Sequence, residues 1–149
     1  MPTVPLVADA EAAHEVRQVF DDIRATRKTD FVNNFWRALA VHPPTLKRTW
    51  ESVKQVMAPG ALDPLMKEML YIAVSATNGC SYCVHSHTAS ARARGMTDAM
   101  LGELLAVVGM ANETNKLAET LQVPVDEAFL LPAVPAKPGG VGQTAKRPR

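Results

Sequence analysis

The chain has 149 residues, of which 47% are hydrophobic and 21% charged, and sixteen basic against fifteen acidic side chains give a formal net charge of +1. This is the composition of one globular domain; it excludes a disordered chain and builds up no charge that would favour nucleic acid or an anionic membrane. Because the first residues lack the basic and apolar regions of an export signal, and no apolar run approaches the ~20 residues that span a bilayer, we expect a cytoplasmic protein.

Helices are predicted throughout the folded part of the chain. The segments between prolines are rich in Ala, Leu, Met, Glu, Lys and Arg, and no alternating pattern indicates a strand. Short loops between the later helices favour helical hairpins. The sequence therefore predicts an all-α fold, a single compact domain of about six helices. The predicted helices lie near 9–27, 31–41, 44–57, 63–78, 81–94 and 97–121.

Helix boundaries follow from polar caps and glycines. Asp30, Asp63 and Thr97 are suited to N-cap positions, because their side-chain oxygens can accept the free amides of a first turn. Gly79 and Gly95 are suited to the residue just past a helix end, where the backbone is often left-handed.

Two regions are expected along the chain. Residues 1–131 form the helical domain, and its core includes aromatic side chains of the N-terminal helices: Trp36, Trp50, Phe31 and Phe35. Residues 132–149 are rich in proline, glycine and basic residues and lack large apolar side chains. Such a segment cannot pack a core, and we predict a flexible tail.

The predicted helix 63–78 is apolar around most of its circumference, which is typical of a buried helix. Glu68 interrupts this surface. It lies on the same face of the helix, here called a lane, as Ile72 and Ser75. Its carboxylate is therefore expected to point into the protein, where a charged group needs a partner.

The only cysteines, Cys80 and Cys83, are three residues apart. A bridge between them would close almost no loop, so the pair indicates redox or metal chemistry rather than a stabilising disulfide. On a helix, Cys83 and His87 are neighbours at i and i+4, and Cys80 shares their face. Helix N-terminal amides and a nearby imidazole both favour the thiolate, which is the nucleophilic form. The dipole favours ionisation of Cys80 and the imidazole that of Cys83, and the residues alone do not rank these effects.

A chain reversal at Gly79 would bring the two halves of this region together. His87 then lies level with Tyr71 and one turn from Glu68. A buried carboxylate beside that imidazole can fix its tautomer and pass a proton onward. Glu68, His87 and the cysteines are therefore predicted to form one contiguous site.

Other interpretations of these residues remain open. Cys80, Cys83 and His87 could supply three ligands of a zinc site, but a closed structural site needs a fourth. His85 points off the shared face, and His14 and His42 stand alone in the sequence. The cysteines could be structural, and Glu68 could be an ordinary surface residue if the helix is less buried than expected. We predict no metal and no cofactor.

The positions of Glu68, Cys80, Cys83 and His87 resemble the signature of the alkyl hydroperoxidase D family, helical antioxidant proteins related to the carboxymuconolactone decarboxylases. The similarity spans about residues 30–125. It implies that Cys83 attacks the peroxide, that Cys80 resolves the product, and that Glu68 and His87 relay protons. It also implies a homo-oligomer and a dithiol reductant, such as a lipoyl-bearing or thioredoxin-like protein. Tyr82 stands where some family members carry a histidine.

The leading functional hypothesis is a thiol-dependent peroxidase or disulfide reductase of the antioxidant defence, acting on hydroperoxides with peroxiredoxin activity. One alternative is a decarboxylase or isomerase acting on small lactones, as in the related family, but such chemistry has no use for the cysteine pair. The other is a non-catalytic oligomeric module whose cysteines sense redox state, but a sensor needs no proton relay.

Overall fold

The structure is a computed structural model that describes residues 2–130. No strand occurs in that range, and an all-α fold with six α-helices is confirmed, followed by one 3₁₀ turn at Glu127–Phe129. The predicted tail, 132–149, lies outside the described residues. The helices are α1 (His14–Arg27), α2 (Asn34–Leu39), α3 (Pro43–Met57), α4 (Pro64–Thr77), α5 (Ser81–Ala93) and α6 (Asp98–Thr120).

Contacts divide the chain into one unit that ends at Leu105 and another that starts at Ala106. The first unit contains α1 to α5, the first turns of α6 and both hydrophobic cores. In the second unit, almost all described residues are exposed to solvent in the single chain. None of the helices in 2–130 is both long enough and apolar enough to cross a bilayer.

The larger core lies among α1, α2 and α3. Trp36 and Trp50 are both buried there and meet edge to face, with ring centroids 5.3 Å apart. The prediction was wrong for Phe31 and Phe35, whose side chains are 67% and 41% exposed. Phe31 precedes α2 in a non-helical segment, and the next residue, Val32, is the one that enters the core.

The start of α1 differs from the prediction, since the helix begins at His14 rather than at residue 9. Asp9 instead lies in a turn, and its carboxylate forms ion pairs with Arg24 and Arg37. These pairs connect the N-terminal segment to α1 and α2. A sequence pattern confined to one helix does not reveal partners that are this far apart in the chain.

Polar caps account for two of the predicted helix starts. Asp63 Oδ1 accepts the backbone N–H of Met66 at 2.9 Å at the start of α4, and Thr97 accepts a hydrogen bond of 3.2 Å at the start of α6. The assignment of Asp30 was wrong, because α2 begins at Asn34 with Asn33 as its N-cap residue.

The turn between α4 and α5 is fixed by Gly79, which adopts a φ of 70° as predicted for the residue past a helix end. The N–H of Gly79 donates to the carbonyl of Ala76 at 3.3 Å, and that of Cys80 donates to the carbonyl of Ser75 at 2.9 Å. This pair of bonds is a Schellman motif. It reverses the chain in a few residues and places Cys80 directly beside the end of α4.

Helix α4 is not buried all round, in contrast to the prediction. One lane, formed by Glu68, Ile72 and Ser75, is buried, and Ile72 belongs to a second core that α4 shares with α5 and the start of α6. Another lane carries three apolar side chains that are exposed in the single chain: Met66, Leu70 and Val74.

Candidate active site

The two cysteines lie at the start of α5, where the structure joins them by a disulfide with their Cα atoms 5.4 Å apart. This separation is within the usual bridging range of ~4.4–6.8 Å. Cys80 is the N-cap residue, and its Sγ accepts the backbone N–H of Cys83 at 3.3 Å. The helix therefore offers a hydrogen bond to the sulfur of Cys80, which favours its thiolate when the bridge is opened.

Glu68 and His87 meet across the α4–α5 hairpin. Glu68 is 5% exposed, as the lane shared with Ile72 and Ser75 predicted, and its Oε2 lies 2.6 Å from His87 Nδ1. A short contact between a carboxylate and an imidazole orients the ring and favours the proton on Nδ1. The opposite ring nitrogen, Nε2, is then the atom left to exchange a proton with a reacting group.

Tyr71 completes the surroundings of the imidazole. Its ring stacks on that of His87, with centroids 3.8 Å apart and planes 17° from parallel. This contact confirms that His87 lies level with Tyr71 across the hairpin. The stacked phenol restricts rotation of the imidazole, so the carboxylate and Tyr71 together hold His87 in one orientation.

Two basic residues near Glu68 were not predicted. Arg94, the C-cap residue of α5, places its Nε 3.6 Å from Glu68 Oε1. Arg27 of α1 packs its guanidinium against the ring of Trp36, 5.6 Å from the ring centroid. Burial lowers the pKa of Arg27, while the charge of Glu68 acts in the opposite direction and that of Arg94 adds to the lowering. The buried carboxylate therefore has an ion-pair partner in Arg94 and interacts electrostatically with Arg27.

Tyr82, between the two cysteines, makes a further contact that sequence reasoning missed. Its hydroxyl oxygen accepts the backbone N–H of Phe35 at 3.1 Å. This bond links the first turn of α5 to α2, across 47 positions of the chain. No local pattern signals such a pairing.

The remaining histidines lie apart from this site. His85 is exposed on α5, and His42 Nδ1 pairs with Thr45 Oγ1 at 2.8 Å at the start of α3. His14 is the exposed first residue of α1. Within 2–130, no three His, Cys, Asp or Glu side chains are grouped so as to hold a metal ion.

The arrangement can carry out thiol chemistry. A cysteine pair that forms a bridge lies on the same helix as an imidazole whose orientation is set by a buried carboxylate. The structure joins Cys80 to Cys83 and pairs Glu68 with His87, and α5 carries His87 one helical turn after Cys83. Their catalytic roles stay predictions.

Comparisons with known proteins place this arrangement in a family. Alkyl hydroperoxide reductase AhpD of Solibacter usitatus is 38% identical over 72 residues. That stretch is 48% of this chain and only 39% of the Solibacter protein, so the chain spans less than half of this relative. The crystal structure of the alkylhydroperoxidase AhpD core of Rhodospirillum rubrum is 61% identical and superimposes with a TM-score of 0.85. The match covers 89% of this chain and 99% of the Rhodospirillum chain.

The sequence model of the carboxymuconolactone decarboxylase family matches residues 43–126, which include α3, α4, α5, α6 and all four site residues. The matched stretch is more than half of the chain. Together with the AhpD relatives, it shows that this chain belongs to the carboxymuconolactone decarboxylase family, among its alkyl hydroperoxidase D-like members.

Proposed function

We propose that the protein is a thiol-dependent peroxidase that reduces hydroperoxides through Cys83 and Cys80. The observation that carries the proposal is the bridged cysteine pair at the start of α5, on the helix whose His87 pairs with the buried Glu68. The names of the two relatives support the same chemistry.

In the first step, the Cys83 thiolate attacks the outer oxygen of a hydroperoxide. The S–O bond forms as the O–O bond breaks, which leaves a sulfenic acid on Cys83 and releases the alcohol once the leaving oxygen has taken a proton. His87 Nε2 is the proposed proton donor, because Nδ1 is engaged by Glu68. Glu68 stabilises the charged imidazole that precedes this transfer.

In the second step, Cys80 loses its proton and attacks the sulfenic sulfur; the disulfide forms, and the displaced hydroxyl takes up a proton and leaves as water. The hydrogen bond from the Cys83 N–H to Cys80 Sγ supports this role. It favours the Cys80 thiolate as the attacking group here, and as the leaving group when the bridge is reduced.

A dithiol closes the cycle. Its first thiolate attacks Cys83 Sγ and displaces Cys80, and its second thiol releases the mixed disulfide. We propose a lipoyl-bearing or thioredoxin-like protein of the cytoplasm as this partner, because either supplies two thiols in one molecule. The lactone decarboxylase alternative has no use for the cysteine pair, and a redox-sensing module has no use for the pairing of Glu68 with His87.

A single-turnover assay tests the peroxidase. We expect the fully reduced protein, freed of reductant, to convert one equivalent of cumene hydroperoxide into the alcohol for each Cys80–Cys83 bridge formed. The alcohol is measured by chromatography and the bridge by mass spectrometry. Peroxide loss no faster than that caused by free cysteine would contradict the proposal and favour a sensor. Turnover of a small lactone by the oxidised protein would favour the decarboxylase.

We also propose that the chain forms a homo-oligomer. The exposed lane of Met66, Leu70 and Val74 on α4 is an apolar strip of a kind that soluble monomers seldom leave uncovered. We expect static light scattering at micromolar concentration to give a multiple of the chain mass, and Leu70→Lys to shift the protein toward one chain. A scattering mass of one chain for the unchanged protein would contradict this.

A further inference from the structure

We propose that Arg94 is a positioning residue: its guanidinium acts through Glu68, holds that carboxylate in place against His87, and thereby sets the pH range in which Cys83 reacts. The inference rests on the proposed function, since it takes Cys83 as the reactive thiol. It adds to the Glu–Cys–Cys–His set a residue that follows His87 by seven positions.

The helix places Arg94 on the reactive face. At about 100° per residue, positions 83, 87 and 94 fall within a narrow stripe of α5. The thiol, the imidazole and the guanidinium therefore follow one another along one face, and the first and last are about 16 Å apart along the axis at ~1.5 Å per residue. Arg94 consequently reaches the site through Glu68 rather than by contact with Cys83.

The backbone that follows Arg94 forms the same kind of turn as the one that precedes Cys80. Gly95 adopts a φ of 97°, its N–H donates to the carbonyl of Arg92 at 3.0 Å, and the N–H of Met96 donates to the carbonyl of Ala91 at 3.0 Å. This is a second Schellman motif. Met96 and Ala91 are both buried in the core shared by α4 and α5, so the end of α5 is fixed against α4.

Glu68 uses its two oxygens separately. Oε2 pairs with His87 Nδ1 at 2.6 Å, and Oε1 faces Arg94 Nε at 3.6 Å. The second distance is that of an ion pair rather than of a hydrogen bond, so the effect of Arg94 is mainly electrostatic. Because Glu68 is buried, loss of Arg94 would leave Oε1 without its counter-charge and the carboxylate less firmly held against His87. The Arg94 side chain is 46% exposed, and solvent therefore weakens the effect without removing it.

Other charged groups near Glu68 do not substitute for Arg94. Arg27 of α1 adds positive charge, but its guanidinium lies over the rings of Trp36 and Trp50, and no ion pair joins it to Glu68 within the described residues. From α4, the ring of Tyr71 stacks on the imidazole of His87. From α5, the groups that face the carboxylate are His87 and Arg94.

A neighbouring arginine provides a matched control. Arg92 lies in the last turn of α5, two residues before Arg94, and carries the same charge. Its guanidinium pairs with Asp98 instead of Glu68. Substitution of Arg92 therefore removes one positive charge from the same end of the same helix and leaves Glu68 untouched.

The experiment measures the alkylation rate of Cys83 by iodoacetamide against pH, in a Cys80→Ser background. Arg94→Met should move the midpoint of this profile upward by roughly 0.5 to 1 pH unit, because a Glu68 carboxylate that has lost its second partner supports the charged His87, and through it the thiolate, less well. Arg94→Lys should restore at least half of the shift, and Arg92→Met should cause none. Thermal unfolding followed by circular dichroism shows that each variant is folded.

The same substitution in a Glu68→Gln background decides whether Arg94 acts through Glu68. There, Arg94→Met should cause no further shift. An equal shift in that background would mean a direct effect on the thiol, and no shift in either background would mean no effect; both results overturn the proposal. Alkylation requires no peroxide, so failure of the peroxidase assay would refute the proposed function and leave this comparison valid.

Discussion

Replacement of Cys83 by serine should reduce peroxide consumption to the uncatalysed rate. The hydroxyl of serine is not ionised at neutral pH and is a weak nucleophile, whereas a thiolate attacks the O–O bond directly. The measurement is loss of cumene hydroperoxide with dithiothreitol as reductant, with the unchanged protein alongside. No other cysteine besides Cys80 exists to replace the lost thiol.

Cys80→Ser is the matched control for this result. It should still consume one equivalent of peroxide in a single turnover, because the proposed attacking thiol, Cys83, is intact, and then stop as a sulfenic acid without a resolving partner. Mass spectrometry would show one added oxygen on Cys83. If Cys80→Ser were inactive and Cys83→Ser retained the single turnover, the two roles would be reversed. The hydrogen bond to Cys80 Sγ favours the Cys80 thiolate and so gives the reversed assignment a physical basis. The two variants together distinguish the two assignments.

The second large effect is expected from Glu68 and His87, the proposed proton relay. Glu68→Gln and His87→Gln approximately preserve side-chain size. The first removes the carboxylate and the second removes the imidazole, so neither variant can place a charged imidazole beside a carboxylate. General acid–base groups contribute about 10²–10⁴-fold, and we expect losses of peroxidase rate in that range. The double variant should lose little more than either single variant, since residues that work as one unit fail together.

The same variants should alter the reactivity of Cys83 without unfolding the protein. In the unchanged site, the midpoint of alkylation against pH should fall below the free-thiol pKa of ~8.5, and each substitution should move it upward. We expect the free energy of unfolding to change by about 1–2 kcal/mol, because one buried polar contact is altered. His85→Gln is the control, since His85 is exposed on the same helix. Profiles identical to that of the parent would mean that Glu68 and His87 serve packing alone.

Local sequence signals were sufficient for the part of the fold that builds the site. A left-handed glycine, a capping aspartate and the spacing along two helices predicted the α4–α5 hairpin. Once the chain reverses at Gly79, residues equally far from the turn must meet, so the proximity of Glu68, Tyr71 and His87 followed from counting. The inward direction of Glu68 followed from the lane that it shares with two other residues.

Features that depend on distant contacts were not predicted. Phe31 looked like a core residue because it is aromatic, but the start of α2 decides which neighbouring side chain is buried, and Val32 is the one. The link from Tyr82 to α2 joins segments with unrelated patterns. Arg94 did lie within reach of sequence reasoning, because it shares the face of His87 and precedes a helix-ending glycine.

The left-handed glycines at both ends of α5 have a consequence for how this protein can vary. Gly79 and Gly95 fix where the helix starts and stops, so its thirteen residues act as a spacer of set length. An insertion or deletion of one residue between them would rotate everything after it by about 100°, so His87 or Arg94 would turn away from Glu68. Amino-acid exchanges on the solvent side of α5 leave that geometry intact. We therefore expect this segment to tolerate changes of composition but not of length, and loop grafting or tag insertion should be directed outside residues 79–95.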